Sequence, residues 1–331
     1  MKKIYERRDN MKELGYLETI KAIYDVKKYF EEKIEKYLDI IKVGSPLFVK
    51  TTSGLQDGLT GFEKAVSFEK GKETFEIVHS LAKWKRDALG KYGFEMHTGL
   101  YTDMKAIRKD ETVDDIHSLY VEQWDWEKVI SKEDRTISYL KQTVKKIYKA
   151  IYETHLYIKD KYDLHKVSLP KDIYFITSQK LEDLYPDKSP KEREYLITKD
   201  KKAVFIIGIG DYLKSGIKHD LRSPDYDDWS LDGDLLIYDD VLGKEIELSS
   251  MGIRVDEKSL VSQLEKSDAL DKLELDYHKK IVSKKLPYSI GGGIGQSRLF
   301  MLLLEKQHVC EVQASSWQDE TYLTLKDTQI L

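Results

Sequence analysis

Between Leu17 and about Tyr37, apolar side chains return at close to helical spacing. Ile20, Ile23, Tyr24, Phe30, Ile34 and Leu38 make up the series, with Lys and Glu filling the intervals. That period predicts a long amphipathic helix. Its stripe reads by default as a core face, and in the alternative as a dimer interface. Gly44-Ser45-Pro46 breaks the helix, and Leu47-Phe48-Val49 opens a strand. Short strands are predicted at Phe75–Val78 and near Met104–Ile107, with a helix over HSLAKWKRDALGKYG between them. SLYVEQWDW, residues 118–126, alternates apolar and polar positions as a half-buried strand does. Helical spacing returns from Asp134 to about Lys161. IYFIT (173–177) and AVFIIGIG (203–210) read as buried strands, GDLLIYD and IELSSMGIRV as two more, and 258–285 as helix. GGGIGQSRLFMLLLE, residues 291–305, reads as a glycine-rich strand turning into a buried helix.

Strands and helices interleaved in this way predict a mixed α/β (α+β) protein, with antiparallel pairs favoured over a regular βαβ series. No repeat, low-complexity stretch or linker divides the chain, so residues 1–331 are expected to form a single domain. Lys and Arg number 55 against 59 Asp and Glu, a net charge of −4, which argues against broad nucleic-acid binding. Cys310 is the one cysteine, which excludes an internal disulfide and a multi-cysteine metal site. The opening MKKIYERRDNMKELGY is charged and lacks a signal-peptide core, and no apolar run is long enough to span a bilayer. A cytoplasmic enzyme without membrane contact is the expectation.

The glycine stretch invites a phosphate-site reading, and spacing narrows it. Gly291-x-Gly293 lacks a third glycine at dinucleotide spacing, and Gly293-x-Gly295 has Arg298 where that glycine belongs. Only 33 residues follow Arg298, too few for the next βαβ unit. No Gly-Lys-Ser/Thr closes the run as in a P-loop. What survives is a flat floor, Gly293 included, on which a base or ribose can lie, with the Arg298 charge set to meet a terminal phosphate. The bland alternative is a glycine strand that allows tight helix packing.

In this light GGGIGQSRLFMLLLE resembles the third signature motif of class II aminoacyl-tRNA synthetases. The helix ending in KVGSPLFV, with Pro46, resembles the first motif. YTDMKAIRKDETVDDIHSLYVEQWDWE, a strand ending at Arg108, an acidic loop and a returning strand, resembles the second. The three stand in the right order. A narrower set, QDGLTGFEKAV, VHSLAKWKRDALG, GLYTDMKAIR, YVEQWDWE, PDYDDWS, ELSSMGIRV and GGGIGQSRL, is similar to ammonia-dependent aspartate–ammonia ligases, the bacterial A-type asparagine synthetases. Val121 stands where the general synthetase motif stacks an aromatic residue on adenine; this matches the ligases.

The resemblance implies a class II synthetase-like catalytic domain, mostly antiparallel sheet flanked by helices. It implies ATP as co-substrate, Mg2+, L-aspartate and ammonia as small-molecule substrates, and a homodimer through the Leu17–Tyr37 helix. Aspartate and ATP would give β-aspartyl-adenylate, which ammonia converts to asparagine and AMP. Arg108 would hold the α-phosphate and attacking carboxylate, and Arg298 the γ-phosphate. Val121, Ser250 and Gly293 would line the nucleotide site. Asp234 and Glu247, on neighbouring strands, become candidate metal ligands. Lys85, Arg254, Gln123, Asp125 and Ser80 would bind the amino acid. Lys83 and Lys85 are not expected to face inward together from one helix. Asp57, in a glycine-flanked loop suited to a lid, and Asp227 are candidates to bind ammonium and accept its proton. Two rivals remain at this point. A tRNA synthetase for aspartate or asparagine would need an anticodon domain, for which neither end is expected to have room. A non-catalytic regulator would be expected to lose the charged positions, yet Arg108, Glu247 and Arg298 are all present.

Overall fold

The computed structural model describes residues 13–59, 63–325 and 328–331. The charged segment 1–12 and residues 60–62 of the Asp57 loop lie outside the described residues. Helix α1 (Tyr16–Leu38) leads into strands β1 (Ile40–Lys42) and β2 (Phe48–Lys50). Then come β3 (Ser67–Lys70), β4 (Glu73–Ile77), α2 (Ala82–Tyr92), β5 (Gly99–Ile107), β6 (Tyr120–Val129) and α3 (Ile137–Tyr162). Next follow β7 (Tyr174–Thr177), α4 (Ser178–Leu184), α5 (Pro190–Lys201), β8 (Ala203–Ile207), β9 (Asp227–Asp239) and β10 (Lys244–Arg254). The chain continues through α6 (Ser259–Lys266), α7 (Asp276–Val282), β11 (Ser289–Gly295), α8 (Gln296–Leu303) and α9 (Asp319–Thr324).

Eight strands form one sheet in the order β1-β5-β6-β11-β10-β9-β8-β7. β1–β5 and β7–β8 pair in parallel; the pairings between them are antiparallel. The antiparallel preference read from the sequence therefore describes the centre of the sheet. A second, three-stranded sheet runs β2-β4-β3. One face of the large sheet carries the main core. Trp124 and Trp126 of β6 and Ile290 and Ile294 of β11 meet α1, α3 and α8 there. Each large side chain buried in this layer contributes about 1.5–3 kcal/mol relative to exposure. The opposite face is polar at its centre and holds the cleft, with α2 against β6 and β11, and α5 against β8, β9 and β10.

Some elements differ from the sequence pattern. The stripe of α1 that faces the core is Ala22, Val26, Phe30, Ile34 and Leu38, whereas Ile20 and Tyr24 point outward with Tyr16 and Leu17. Segment 258–285 is two helices, α6 and α7, separated by a 3-10 turn at Leu270–Glu274. Asp268, at a φ of 53°, turns the chain into the left-handed region just past α6, which no helix continues through. The glycine strand and its helix stand as expected, at β11 and α8. Among the described residues, no helix is long and apolar enough to cross a membrane.

Candidate active site

A cleft of about 450 Å³ opens over β6, β11 and β10. Its floor follows from the two-residue period of a strand. On β6, Trp124 and Trp126 turn into the core, so Gln123 and Asp125 turn into the cleft. Gly293 of β11 pairs with Asp125 on one side and with Ser250 of β10 on the other. A Cβ on Gly293 would lie 2.6 Å from Gln123 Oε1 and 2.7 Å from Asp125 Oδ1. The glycine thus keeps those polar groups open to a ligand.

At the inner end, charges pair in a dry setting. Lys85 of α2, 1% exposed, donates to Gly292 O at 2.8 Å and lies 3.3 Å from Asp125 Oδ2. Burial pulls the Lys85 ammonium below its ordinary pKa, and Asp125 opposes that. Arg254 of β10 is 2% exposed and reaches both Glu127 and Asp227. Burial works against its charge, but Glu127 and then Asp227 overcome this and hold the guanidinium ionised. Asp125 Oδ1, in a residue 1% exposed, finds no hydrogen-bond partner among the described residues. Such an atom carries a substantial desolvation cost unless a ligand satisfies it.

Toward the opening stand two arginines. Arg108, at the end of β5, makes long bonds of 3.4 Å from Nε and Nη2 to His79 O. Arg298 Nη1 donates to Glu247 O at 2.9 Å. Burial lowers the Arg108 pKa, and the Arg298 charge lowers it further. Both guanidiniums rest on neutral carbonyls, so their charge is directed at the cleft, as two cations facing one polyanion would be. Val121, Ser250, Glu247, Ser80 and Asp227 also line the cleft.

Three expectations need correction. Asp57 does not line the cleft. It is fully buried behind Ser80, whose hydroxyl donates to Asp57 Oδ2, and that oxygen also accepts Ala82 N–H at 2.6 Å at the start of α2. A carboxylate at a helix N-terminus satisfies orphan amides and meets the positive end of the dipole. Burial nevertheless pushes its carboxyl up to about 6, against the pull of Lys83. Second, Lys83 and Lys85 are both buried. They point to sides about 200° apart, and protein covers both. Lys83 Nζ meets Asp225 Oδ2 at 2.9 Å, in a cluster with His278 and Ser223. Burial opposes the Asp225 charge, but Lys83 and His278 hold its carboxyl well below the usual range. Third, Asp234 lies behind the cleft wall, clasped by Arg222, whose Nη2 sits 2.6 Å from Asp234 Oδ1 and Nη1 2.6 Å from Ser250 Oγ. Burial pushes Asp234 up to about 7; Arg222 opposes this and Glu247 adds to it.

The motifs did not single out Arg222, which lines the cleft, or Glu127 and Lys83, which hold Arg254 and Asp225 from behind it. Glu127 carried a signal, since it continues the Gln123–Asp125 alternation. Arg222 carried none, for only the fold brings its loop over Asp234. Asp228, beside Asp227 in sequence, is taken away by Arg135 at 2.8 Å.

Comparison with solved structures defines the fold class. The asparaginyl-tRNA synthetase of Entamoeba histolytica, in complex with asparaginyl-adenylate, superposes with a TM-score of 0.63 at 13% identity, over 90% of this chain and 66% of that one. The asparaginyl-tRNA synthetase of Pyrococcus horikoshii, complexed with asparaginyl-adenylate, gives 0.64 at 14% identity, over 89% and 68%. The fold is that of a class II aminoacyl-tRNA synthetase catalytic domain. Sequence then resolves the family. Residues 17–329 match the profile of the family described as aspartate-ammonia ligase. Curated proteins named aspartate--ammonia ligase from Clostridium tetani and Fusobacterium nucleatum are each 54% identical, over 93% of this chain and 91% and 95% of their own lengths. The chain belongs to the aspartate–ammonia ligase family.

Proposed function

We propose that this protein makes L-asparagine from L-aspartate and ammonia, with ATP cleaved to AMP and pyrophosphate through a β-aspartyl-adenylate. The observation that carries the reading is Asp125 Oδ1, buried and without a hydrogen-bond partner among the described residues, in a cleft lined by the buried cations Lys85 and Arg254 and faced by two arginines. A zwitterion with an extra carboxylate complements that set. Its ammonium satisfies Asp125, with Gln123 beside it, and its carboxylates take the hydrogens that Lys85 and Arg254 have to spare.

A carboxylate resists nucleophiles because of its charge, and transfer to AMP removes that charge and supplies a leaving group. Arg108 bridges the attacking carboxylate and the α-phosphate, and Arg298 neutralises the departing pyrophosphate end. Both are fixed before the reaction begins, which is how a site stabilises developing charge without reorganising. The base rests along Val121 and the glycine floor, with Ser250 at its edge. No group of three His, Cys, Asp or Glu is gathered for a metal among the described residues. Glu247 lines the cleft and would hold Mg2+ mainly through substrate phosphates, whereas Asp234, on the adjacent strand, would reach the ion only on leaving Arg222. Bound there, the ion would neutralise phosphate charge, and Arg222 would have to release or share Asp234.

Ammonia arrives largely as ammonium. Asp227 is committed to Arg254, so Asp57 is the better proton acceptor, its pKa of about 6 lying nearer neutrality than an ordinary carboxyl. Ser80 joins it to the cleft. As ammonium yields a proton to Ser80 Oγ, the Ser80 proton passes to Asp57 Oδ2. The freed nitrogen lone pair attacks the β-carbonyl carbon, the acyl carbon–oxygen bond breaks with its electrons going to AMP, and the second surplus N–H proton leaves on the phosphate oxygen of the departing AMP, so that the amide keeps two hydrogens. The protein is proposed to act as a homodimer, with the apolar outer side of α1, Leu17, Ile20 and Tyr24, facing the second copy. Incubation with ATP, Mg2+, aspartate and ammonium should yield asparagine and AMP in equal amounts. AMP formation that requires added tRNA would refute the ligase reading.

A further inference from the structure

Glu127 lies two positions beyond Asp125 on β6 and on the same face, yet it is fully buried outside the cleft. Its partner is Arg254. Nε donates to Oε1 at 3.0 Å and to Oε2 at 3.1 Å, and Nη2 donates to Oε2 at 2.7 Å. Ser289 of β11 donates to Oε1 at 2.7 Å and fixes the carboxylate from behind. Arg254 Nη1 turns the other way, to Asp227. A guanidinium has five N–H groups in one plane. Two anions on opposite sides leave that plane no freedom to turn and leave one hydrogen on each terminal nitrogen unspent. Gly291, paired with Glu127 across the β6–β11 ladder, is shaped by the same contact. A Cβ there would fall 1.9 Å from Glu127 Oε2 and 2.6 Å from Arg254 Nη2. The first glycine of the run is therefore required by an ion pair, and only the third opens the floor to ligand.

We propose that Glu127 is a positioning residue for the amino-acid substrate: it sets the plane of Arg254 so that the two remaining N–H groups address a substrate carboxylate, and Gly291 makes room for the pair. This rests on the reading of Arg254 as a substrate-binding cation.

Charge alone and positioning predict opposite signs. Around the inner cleft, Lys85 and Arg254 face Asp125, Asp227 and Glu127. If Glu127 merely balanced charge, its neutralisation would leave the cations freer for a dianionic substrate, and aspartate would bind tighter. If it sets the plane of Arg254, a Gln in its place offers one acceptor and opposes an amide N–H to the guanidinium, so aspartate binds worse.

The test compares Glu127→Gln, Ser289→Ala, Gly291→Ala and the double variant Glu127→Gln/Gly291→Ala with the unmodified enzyme. Aspartate-dependent ATP–pyrophosphate exchange gives KM for aspartate and for ATP, and thermal unfolding reports the fold. Glu127→Gln and Gly291→Ala should each raise the aspartate KM about tenfold with the ATP KM nearly unchanged, and the double variant should be no worse than either, since both act on one contact. Ser289→Ala removes one hydrogen bond and should raise it several-fold; it carries the test if Glu127→Gln does not fold. A folded Glu127→Gln enzyme with an equal or lower aspartate KM overturns the proposal, as do additive effects in the double variant. Absence of exchange in the unmodified enzyme would instead overturn the functional reading beneath it.

Discussion

Replacing Asp57 by Asn separates the stability of this protein from its catalysis. Asp57 is completely buried, and its carboxyl stands at about 6 where 3.8 is ordinary. A raised carboxyl pKa means the folded chain prefers the protonated form. The group's favourable contribution is complete below about pH 4, the unfolded value, and is lost as the pH climbs through about 6. The shift of roughly two units corresponds to about 3 kcal/mol of differential stability above that window. Asn is uncharged at every pH. With its oxygen in the place of Oδ2 it still accepts the Ser80 hydroxyl and Ala82 N–H, and it loses the weaker 3.4 Å bond from Lys83 N–H to Oδ1. Giving back about 1 kcal/mol for that bond leaves a net gain of about 2 kcal/mol at pH 8. At pH 4 the gain should vanish or reverse. Urea unfolding at pH 4, 6 and 8 gives the curve. In the same variant, aspartate-dependent pyrophosphate exchange should continue while ammonium-dependent asparagine formation falls by about 100-fold, the scale of lost general-base catalysis. A variant less stable than the parent at pH 8 would refute the burial argument. A variant that makes asparagine at the parent rate would remove Asp57 from the proton path.

Other perturbations test other parts of the site. Arg298→Ala should abolish pyrophosphate exchange, while circular dichroism and thermal unfolding stay near the parent, because its guanidinium is tied to backbone carbonyls and not to a core ion pair. Lys83→Met leaves Asp225 buried with one cation fewer and should cost about 3–5 kcal/mol in urea unfolding at pH 7.5. That cost should shrink in acid, as the Asp225 carboxylate, left with His278 and the more distant Lys272, takes up a proton. If the proposed homodimer forms through the outer side of α1, Tyr24→Glu should lower the mass measured by sedimentation from dimer to monomer; a parent protein that sediments as a monomer, or a variant dimer that is unaltered, would refute that interface.

The parts of this molecule legible in its sequence are those where chemistry and period coincide. GGGIGQSR and VEQWDW indicated both an element and the face of that element, and the longer strands lie where apolar runs put them, whereas the short β1 and the exposed β3, which bury too little to leave a pattern, were not foreseen. The α1 stripe was half legible. Ile20 and Tyr24 keep the same spacing as Phe30 and Ile34, and only the position of α3 decides which apolar side faces the core. Lys83 escaped because a helix argument assumes one wet side, and the start of α2 has none. Arg222 escaped because its link to Asp234 depends on how a loop crosses a strand, which no local pattern encodes. Asp57 was recognised as a residue of interest for its loop, yet its burial behind Ser80 belongs to the tertiary structure.

The alternation on β6 also bears on how errors in folding are exposed. Phe30 and Phe300 pack on Trp124, and Trp126 lies in the same layer. A slip of β6 by one residue would reverse every side chain at once. Gln123, Asp125 and Glu127 would enter an apolar layer, and both tryptophans would fill the pocket. A one-residue slip thus loses the layer and the pocket together. A chain whose β6 is displaced by one residue is therefore both inert and unstable, and so open to proteolysis.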